Sequence, residues 1–260
     1  MEGLRNMIEV SHFHKWYDNT VAVAGLDFSV GPGQVLGLVG PNGAGKTTTL
    51  RAICGIIPPT RGKLSVGGYD VRANPIPAKR LLAYVPDDPK LFDVLTVWEH
   101  LRYIAEAYRV ADYEPLANEL LARFELTDKR NTTGSELSRG MRQKLALCCA
   151  YLHSPKAILL DEPLTGVDPR GIRTTKDSIR EQAGKGAAII MSSHILDLVE
   201  DLCTHLLILH RGRCLYLGAL ADARSAIHDL HDGASLEDVF LHLTESAEPR
   251  PLPAGKSQSP

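Results

Sequence analysis

The 260-residue chain is short of several things, and each shortage closes off a class of function. Its five cysteines, Cys54, Cys148, Cys149, Cys203 and Cys214, are odd in number, show no C-x-x-C spacing and sit in apolar segments. Neither a disulfide framework nor a zinc site fits that spacing, so buried free thiols in a reducing compartment are expected. No apolar stretch approaches the roughly 18 residues of a membrane-spanning helix, and the first residues lack the charged-then-apolar order of a secretion signal. A cytoplasmic location follows as the expectation, with any membrane role borrowed from another chain. Charge of one sign is also missing: the formal net charge of -2 argues against a nucleic-acid partner held by phosphate neutralisation. The basic cluster Arg139, Arg142 and Lys144 reads as a solvated helix face. With 44% hydrophobic and 23% charged residues, the composition is that of a globular protein able to bury a large core in one or two domains.

What is present is concentrated between residues 35 and 53. The apolar run Val35-Leu36-Gly37-Leu38-Val39 leads directly into Gly40-Pro41-Asn42-Gly43-Ala44-Gly45-Lys46-Thr47-Thr48, and an apolar helical pattern follows to Ile53. This is the G-x-x-x-x-G-K-[ST] phosphate loop in its strand-then-helix setting. Glycines 40, 43 and 45 let the backbone turn with positive φ and approach a ligand closely. Bare amides, the positive end of the helix dipole and the Lys46 charge then converge on one point, which suits a polyphosphate. A glycine turn before an ordinary helix is the bland alternative.

Residues 7–14 and 21–30 alternate with period two and are bounded by Asp18-Asn19 and Gly31-Pro32-Gly33, which predicts an antiparallel sheet covering the nucleotide site. Of Trp16 and Tyr17, between these strands, only one can face a base stacked near the phosphate loop, a contact of roughly 1 to 3 kcal/mol. Tyr17 is the candidate. Lys63–Val66 and Leu82–Val85 read as short strands. From there to about Pro155 the pattern is helical. Thr96 and Glu99 form a capping box before Val97, Leu101 and Ile104, a second helix spans Leu116–Phe124, and a third spans 139–153. Ala157–Leu160 and Ala187–Met191 are continuous apolar runs, as expected of strands buried on both faces. A helix from about Arg170 to Ala183 lies between them. Leu206–Leu209 and Arg213–Leu217 read as a hairpin turning at Arg211-Gly212. The Pro-, Ser- and Glu-rich residues 245–260 are expected to be a disordered tail.

Ligands of open α/β sheets sit beyond the carboxyl ends of the strands. Four strands end there in polar groups: the phosphate loop after Val39, Asp87 after Val85, Asp161-Glu162 after Leu160, and His194 after Met191. Thr47 and Asp161 suit a Mg²⁺ ion, Glu162 can orient or deprotonate a water for attack on a γ-phosphate, and His194 can hydrogen-bond that phosphate. Singly, Asp161 could cap a turn and His194 could cap the helix starting at Ile195. Their joint order at strand ends favours the catalytic reading.

With Leu137-Ser138-Arg139-Gly140-Met141, similar to an L-S-G-G-Q signature, the sequence resembles the ABC-type ATPases, the nucleotide-binding subunits of ATP-binding-cassette transporters, over about residues 7–243. The resemblance implies an α/β fold: a P-loop NTPase (RecA-like) core with an antiparallel β subdomain and an inserted helical subdomain. Core and β subdomain would take about 7–86 and 156–218, the helical subdomain about 87–155 and a C-terminal helical segment 219–244, all within one ATPase domain over 1–244. It implies ATP and Mg²⁺ as cofactors, Tyr17 on the adenine, residues 40–48 on the phosphates, Lys46, Glu162 and His194 as catalytic residues, and Asp168 in the D-loop. It further implies a second ATPase subunit, identical or homologous, bound head to tail so that residues 137–141 meet the opposite ATP. Separate permease subunits would hold the pair on the inner face of the cell membrane. Ser138 and the Gly140 amide at a helix N-terminus make a second anion site.

Two motifs depart from the pattern, at three positions. Asp87 stands where the family carries the Q-loop glutamine; an aspartate oxygen still suits Mg²⁺ but adds charge. Arg139 and Met141 replace a glycine and the glutamine of the signature. Both changes, with the ending Ser235–Thr244, resemble a subgroup paired with ABC-2-like export permeases. A non-transport ATPase of the superfamily acting on ribosomes or DNA, and a nucleotide-gated module without hydrolysis, are the alternatives. A phosphate-loop kinase leaves 137–141 unexplained. Lys46→Ala removes charge-assisted bonds of about 1.5 to 3 kcal/mol each and is expected to weaken ATP binding at least about tenfold in titration calorimetry; an unchanged affinity would contradict the phosphate-loop reading.

Overall fold

The computed structural model describes residues 6–223 and 235–246. Its first strands, β1 (Ile8–Tyr17) and β2 (Thr20–Val30), pair antiparallel from Ile8 opposite Val30 to Tyr17 opposite Thr20. Trp16 and Tyr17 are thus the end of β1, not part of a connecting loop as the alternation suggests. β3 (Val35–Val39) enters a second sheet and leads into α1 (Lys46–Ile53). β4 (Arg61–Val66) and β5 (Tyr69–Asp70) return to the first sheet, whose order is β2-β1-β4-β5. α2 (Pro75–Arg80) follows, then β6 (Leu82–Val85). Neither β5 nor α2 is legible in the periodicity. Pro75 and Pro77 look like helix breakers, yet both sit in the first turn of α2, where the missing amide has no helical acceptor to lose.

Between β6 and its parallel neighbour β7 (Ala157–Asp161) the chain inserts three helices, α3 (Val97–Tyr108), α4 (Glu114–Arg123) and α5 (Arg139–Tyr151). The capping box is as read: Thr96 Oγ1 accepts from the Glu99 amide at 3.2 Å, and Glu99 Oε2 accepts from the Thr96 amide at 2.8 Å. α6 (Pro169–Gly184), β8 (Ala188–Ser193), α7 (Leu196–Leu202), β9 (His205–His210), β10 (Arg213–Ala219) and α8 (Leu236–Ser246) complete the order. The second sheet runs β10-β9-β3-β8-β7-β6, parallel except for the edge strand β10. α8 continues through Ser246, so helix replaces the start of the expected disordered tail at 245–246. The rest of that tail, like residues 224–234 of the C-terminal segment, lies outside the described residues.

β3 is buried along its whole length, and successive side chains serve opposite cores. Val35 and Val39 join Ile158, Leu160, Ile189 and Met191 on the side of helices α3 to α7. Leu36 and Leu38 join Leu159, Ile190, Leu50 of α1 and the inward residues Ile8, Phe13 and Leu26 of the antiparallel sheet. The unbroken apolar runs of β3, β7 and β8 follow from this double burial. The Arg211–Gly212 turn of the β9–β10 hairpin, with φ of 48° and 75°, folds back onto the loop after β3. Its Gly212 amide donates to the Ala44 carbonyl at 3.0 Å, and its Gly212 carbonyl accepts from the Ala24 amide at 2.8 Å. One turn therefore ties β2, the hairpin and the phosphate loop together.

Three cysteines are buried as expected, and Cys149 is half-buried; Cys214 is exposed on the edge strand β10. Burial pushes the thiols of Cys149 and Cys203 up to about 12, which keeps them protonated and unreactive. Leu38→Ala, at a fully buried position of the central strand, is expected to lower unfolding free energy by about 2 to 5 kcal/mol in chemical denaturation. A loss below about 1 kcal/mol would contradict the placement of Leu38 in a close-packed core.

Candidate functional site

The loop between β3 and α1 is shaped by close backbone approaches that only glycine permits. A Cβ at Gly40 would stand 2.3 Å from the Leu209 carbonyl oxygen, and one at Gly45, where φ is 108°, would stand 2.7 Å from the Ala22 oxygen. Gly45 is also the N-cap of α1 and offers no side-chain cap. The amides of the first turn accordingly have no intrahelical acceptor and point out of the helix start. Lys46 folds back over the loop, its Nζ donating to the carbonyls of Gly40 at 2.6 Å and Pro41 at 3.3 Å. Burial holds its ammonium below the ordinary lysine range, opposed by the nearby Glu162 and Asp161 carboxylates.

These residues line a cleft of about 240 Å³ with Ala22, Asn42 to Thr48, Asp87, Asp161 and Glu162. Asp161, the last residue of β7, is buried. Its Oδ1 accepts from Ser192 Oγ at 2.6 Å and its Oδ2 from the Tyr84 hydroxyl at 3.4 Å. Burial and the Asp161 charge push the Tyr84 phenol up, against a hydrogen bond from Arg51. Glu162 adopts a left-handed backbone with φ of 49°, unusual for a side chain of its size. Two bonds hold it there: its amide donates to Ser192 Oγ at 3.0 Å and to the Ser192 carbonyl at 3.3 Å. The turn swings the Glu162 carboxylate towards His194, whose Nδ1 lies 2.8 Å from Oε2. An ionised Glu162 is an acceptor only, so Nδ1 carries the proton towards it, and Nε2 is an acceptor when bare and a donor when protonated.

The structure therefore brings together Asn42, Gly43, Ala44, Gly45, Lys46, Thr47, Thr48, Asp87, Asp161 and Glu162, with His194 joined through Glu162 and Gly40 and Pro41 behind Lys46. It does not bring Tyr17 to the wall of the cleft; that ring is exposed at the tip of β1, with Lys15 Nζ 4.8 Å from its centroid. The segment Leu137, Ser138, Arg139, Gly140 and Met141 is likewise absent from the wall. Ser138 caps α5 by accepting from the Met141 amide at 3.3 Å, Leu137 is buried, and its carbonyl accepts from Arg142 Nη1 at 2.8 Å. Asp168 caps α6 through the Gly171 amide at 2.9 Å and pairs with Lys144 at 3.1 Å. The Gly171 bond and then the Lys144 ammonium hold its carboxyl below the usual range. Lys144 is itself buried and also meets Glu125 at 3.3 Å. The expected solvated basic face thus fails at Lys144, which is an internal cation joining α5 to the loop before α6.

Ser192, among the polar residues that end β8 at the catalytic edge, bridges Asp161 and the Glu162 amide through its hydroxyl. A polar residue closing the fully apolar run 187–191 is the signal that marks it.

A phosphate loop at the carboxyl edge of a parallel sheet, sharing a cleft with two carboxylates from the end of β7, one strand beyond β8, defines a nucleoside triphosphatase of the P-loop class. A family model described as ABC transporter matches residues 23–165. The ATP-binding protein EcsA of Bacillus subtilis is 32% identical over 242 residues, 92% of this chain and 97% of that protein. The Nod factor export ATP-binding protein I of Burkholderia thailandensis is 36% identical over 214 residues, 82% of this chain and 70% of that one. A solved ATP-binding subunit of an ABC transporter superposes with a TM-score of 0.87 at 37% identity, covering 92% of this chain and 99% of the other. The chain belongs to the ABC transporter family, as an ATP-binding, ATP-hydrolysing subunit.

Ser192→Ala removes the shortest bond to a buried carboxylate and one of the two acceptors holding Glu162. It is expected to cost about 1.5 to 3 kcal/mol in denaturant unfolding and to lower ATPase turnover with it. Wild-type stability in that variant would contradict the bridging role.

Proposed function

We propose that the cleft binds ATP with Mg²⁺, that Glu162 and His194 drive its hydrolysis, and that two such subunits close head to tail to move a separate membrane permease. The observation that carries this reading is the 2.8 Å pairing of His194 with Glu162 at the lip of the cleft that holds Lys46. The amides at the start of α1 and the Lys46 ammonium offer the β- and γ-phosphates a cationic seat. Among the described residues no group of three His, Cys, Asp or Glu side chains forms a metal cage of its own. The oxygen set at hand, the Thr47 hydroxyl and the Asp161 carboxylate with Asp87 beside them, fits Mg²⁺, which keeps waters and takes its remaining ligands from substrate phosphates. Magnesium bound there would offset phosphate charge against these acids. Glu162 orients and deprotonates the attacking water, and its left-handed backbone aims the carboxylate into the cleft. His194, when it carries a proton on both ring nitrogens, donates from Nδ1 to Glu162 and from Nε2 to a γ-phosphate oxygen.

Tyr17 has an exposed ring available for adenine. Residues 137–141 and Asp168 do not line this cleft, although Arg139 reaches its wall residue Asp87, and we assign them to the nucleotide held by a partner subunit. We assign this work to one domain over residues 1–244, with 87–155 as the helical part. Among the described residues no helix is long and apolar enough to cross a membrane, which fits a subunit held at the inner membrane face by its permease. Export is the direction favoured, because the relative named for Nod factor export covers most of this chain and because Asp87 and Arg139 follow the exporter-like subgroup.

Glu162→Gln keeps the shape of the side chain and removes the base. It is expected to retain ATP affinity, to lose phosphate release by about 100-fold or more, and to accumulate as an ATP-bound dimer in size-exclusion chromatography. Turnover near the wild-type rate would sink the assignment.

A further inference from the structure

Two of the three residues that set this sequence apart from its family pattern, Asp87 and Arg139, touch each other. Arg139 Nη2 donates to Asp87 Oδ1 at 2.9 Å, joining the first residue of α5 to the loop that leaves β6. Asp87 is at the same time part of the wall of the phosphate cleft, which Thr47 and Asp161 also line. The Arg139 stem also lies against the loop before α6: a Cβ at Gly166 would come 3.1 Å from Arg139 Cδ, and one at Gly140 would come 2.9 Å from the Gly166 carbonyl. Arg139 thus meets the loop after β6 through its guanidinium and the loop before α6 along its stem. Asp88 is paired with Lys90, and Arg142 is spent on the Leu137 carbonyl.

We propose that the Asp87–Arg139 ion pair is a latch that competes with Mg²⁺·ATP for the Asp87 carboxylate, making Arg139 a positioning residue that ties nucleotide loading to the placement of the α5 start. This rests on the reading of the cleft as a Mg²⁺·ATP site. The carboxylate faces a guanidinium on one side and the cleft on the other, and an oxygen given to a cation is withdrawn from Arg139. Both side chains are about half exposed, 46% and 48%, so the pair is weak enough for a bound cation to displace. When Asp87 turns to the cleft, Arg139 is released at the N-terminus of α5, the segment proposed to meet the partner subunit's nucleotide.

The test is a double-mutant cycle read by calorimetric ATP affinity, with and without magnesium, in wild type, Arg139→Gln, Asp87→Asn and the double variant. Removing the competitor is expected to tighten Mg²⁺·ATP binding roughly two- to fivefold, the span of an exposed ion pair. The gain should vanish without magnesium and in the Asp87→Asn background. Arg139→Lys, which keeps the charge, should stay close to wild type and serves as the second variant if Arg139→Gln folds poorly. Equal effects in both Asp87 backgrounds would show that Arg139 acts on the nucleotide directly and would overturn the latch, as would no change or weaker binding in Arg139→Gln. Wild-type protein with no affinity for Mg²⁺·ATP would instead bring down the reading of the cleft, and the latch with it.

Discussion

The hydrogen-bonding capacity of the backbone between Gly40 and Thr48 is the constraint on which the rest of the molecule depends. A loop whose amides face a ligand cannot satisfy them internally, so it must be held in shape by everything behind it. Leu209 and Ala22 carbonyls press to within distances that exclude a Cβ at positions 40 and 45. The Gly212 turn clamps Ala44 from the hairpin side. β3 fixes the entry, because its five residues are locked between two cores at once, and α1 fixes the exit through Leu50 and Ile53 in the core shared with the antiparallel sheet. The antiparallel sheet is therefore more than a cover. It supplies the wall against which the loop is pressed.

Acidic charge outweighs basic charge in the cleft, as suits a site that takes a cation with its phosphates. One buried lysine and the start of one helix face Asp161, Glu162 and Asp87. Each carboxylate is restrained differently: Asp161 by Ser192 and Tyr84 inside the protein, Glu162 by a strained backbone and His194, and Asp87 by an exposed arginine from another element. The gradation from rigid to loose follows the distance from the sheet. It suits a site in which one acid must stay fixed, one must be aimed and one can change partner.

Much of this was legible in the chain itself. The apolar runs 35–39, 157–160 and 187–191 carry the double burial of central strands, and the polar residues that end them fall at one edge because parallel strands share a direction. Other features were hidden for physical reasons. The prolines of α2 disguise a helix whose first turn tolerates them. Strand pairing extends β1 through Trp16 and Tyr17, because a two-residue turn needs its flanks paired. Lys144 looked like a surface charge because sequence spacing does not show that Glu125 and Asp168 converge on it. The Asp87–Arg139 pair joins residues 52 positions apart, and no local pattern announces a contact of that range.

The central claim is that backbone amides near Lys46 grip the nucleotide's phosphates. Hydrogen–deuterium exchange over residues 40–48, with and without Mg²⁺·ATP well above its dissociation constant, tests it most directly. The account predicts that amides in this stretch exchange at least about tenfold more slowly with nucleotide bound. Unchanged exchange there, with protection appearing elsewhere on the chain, would contradict it.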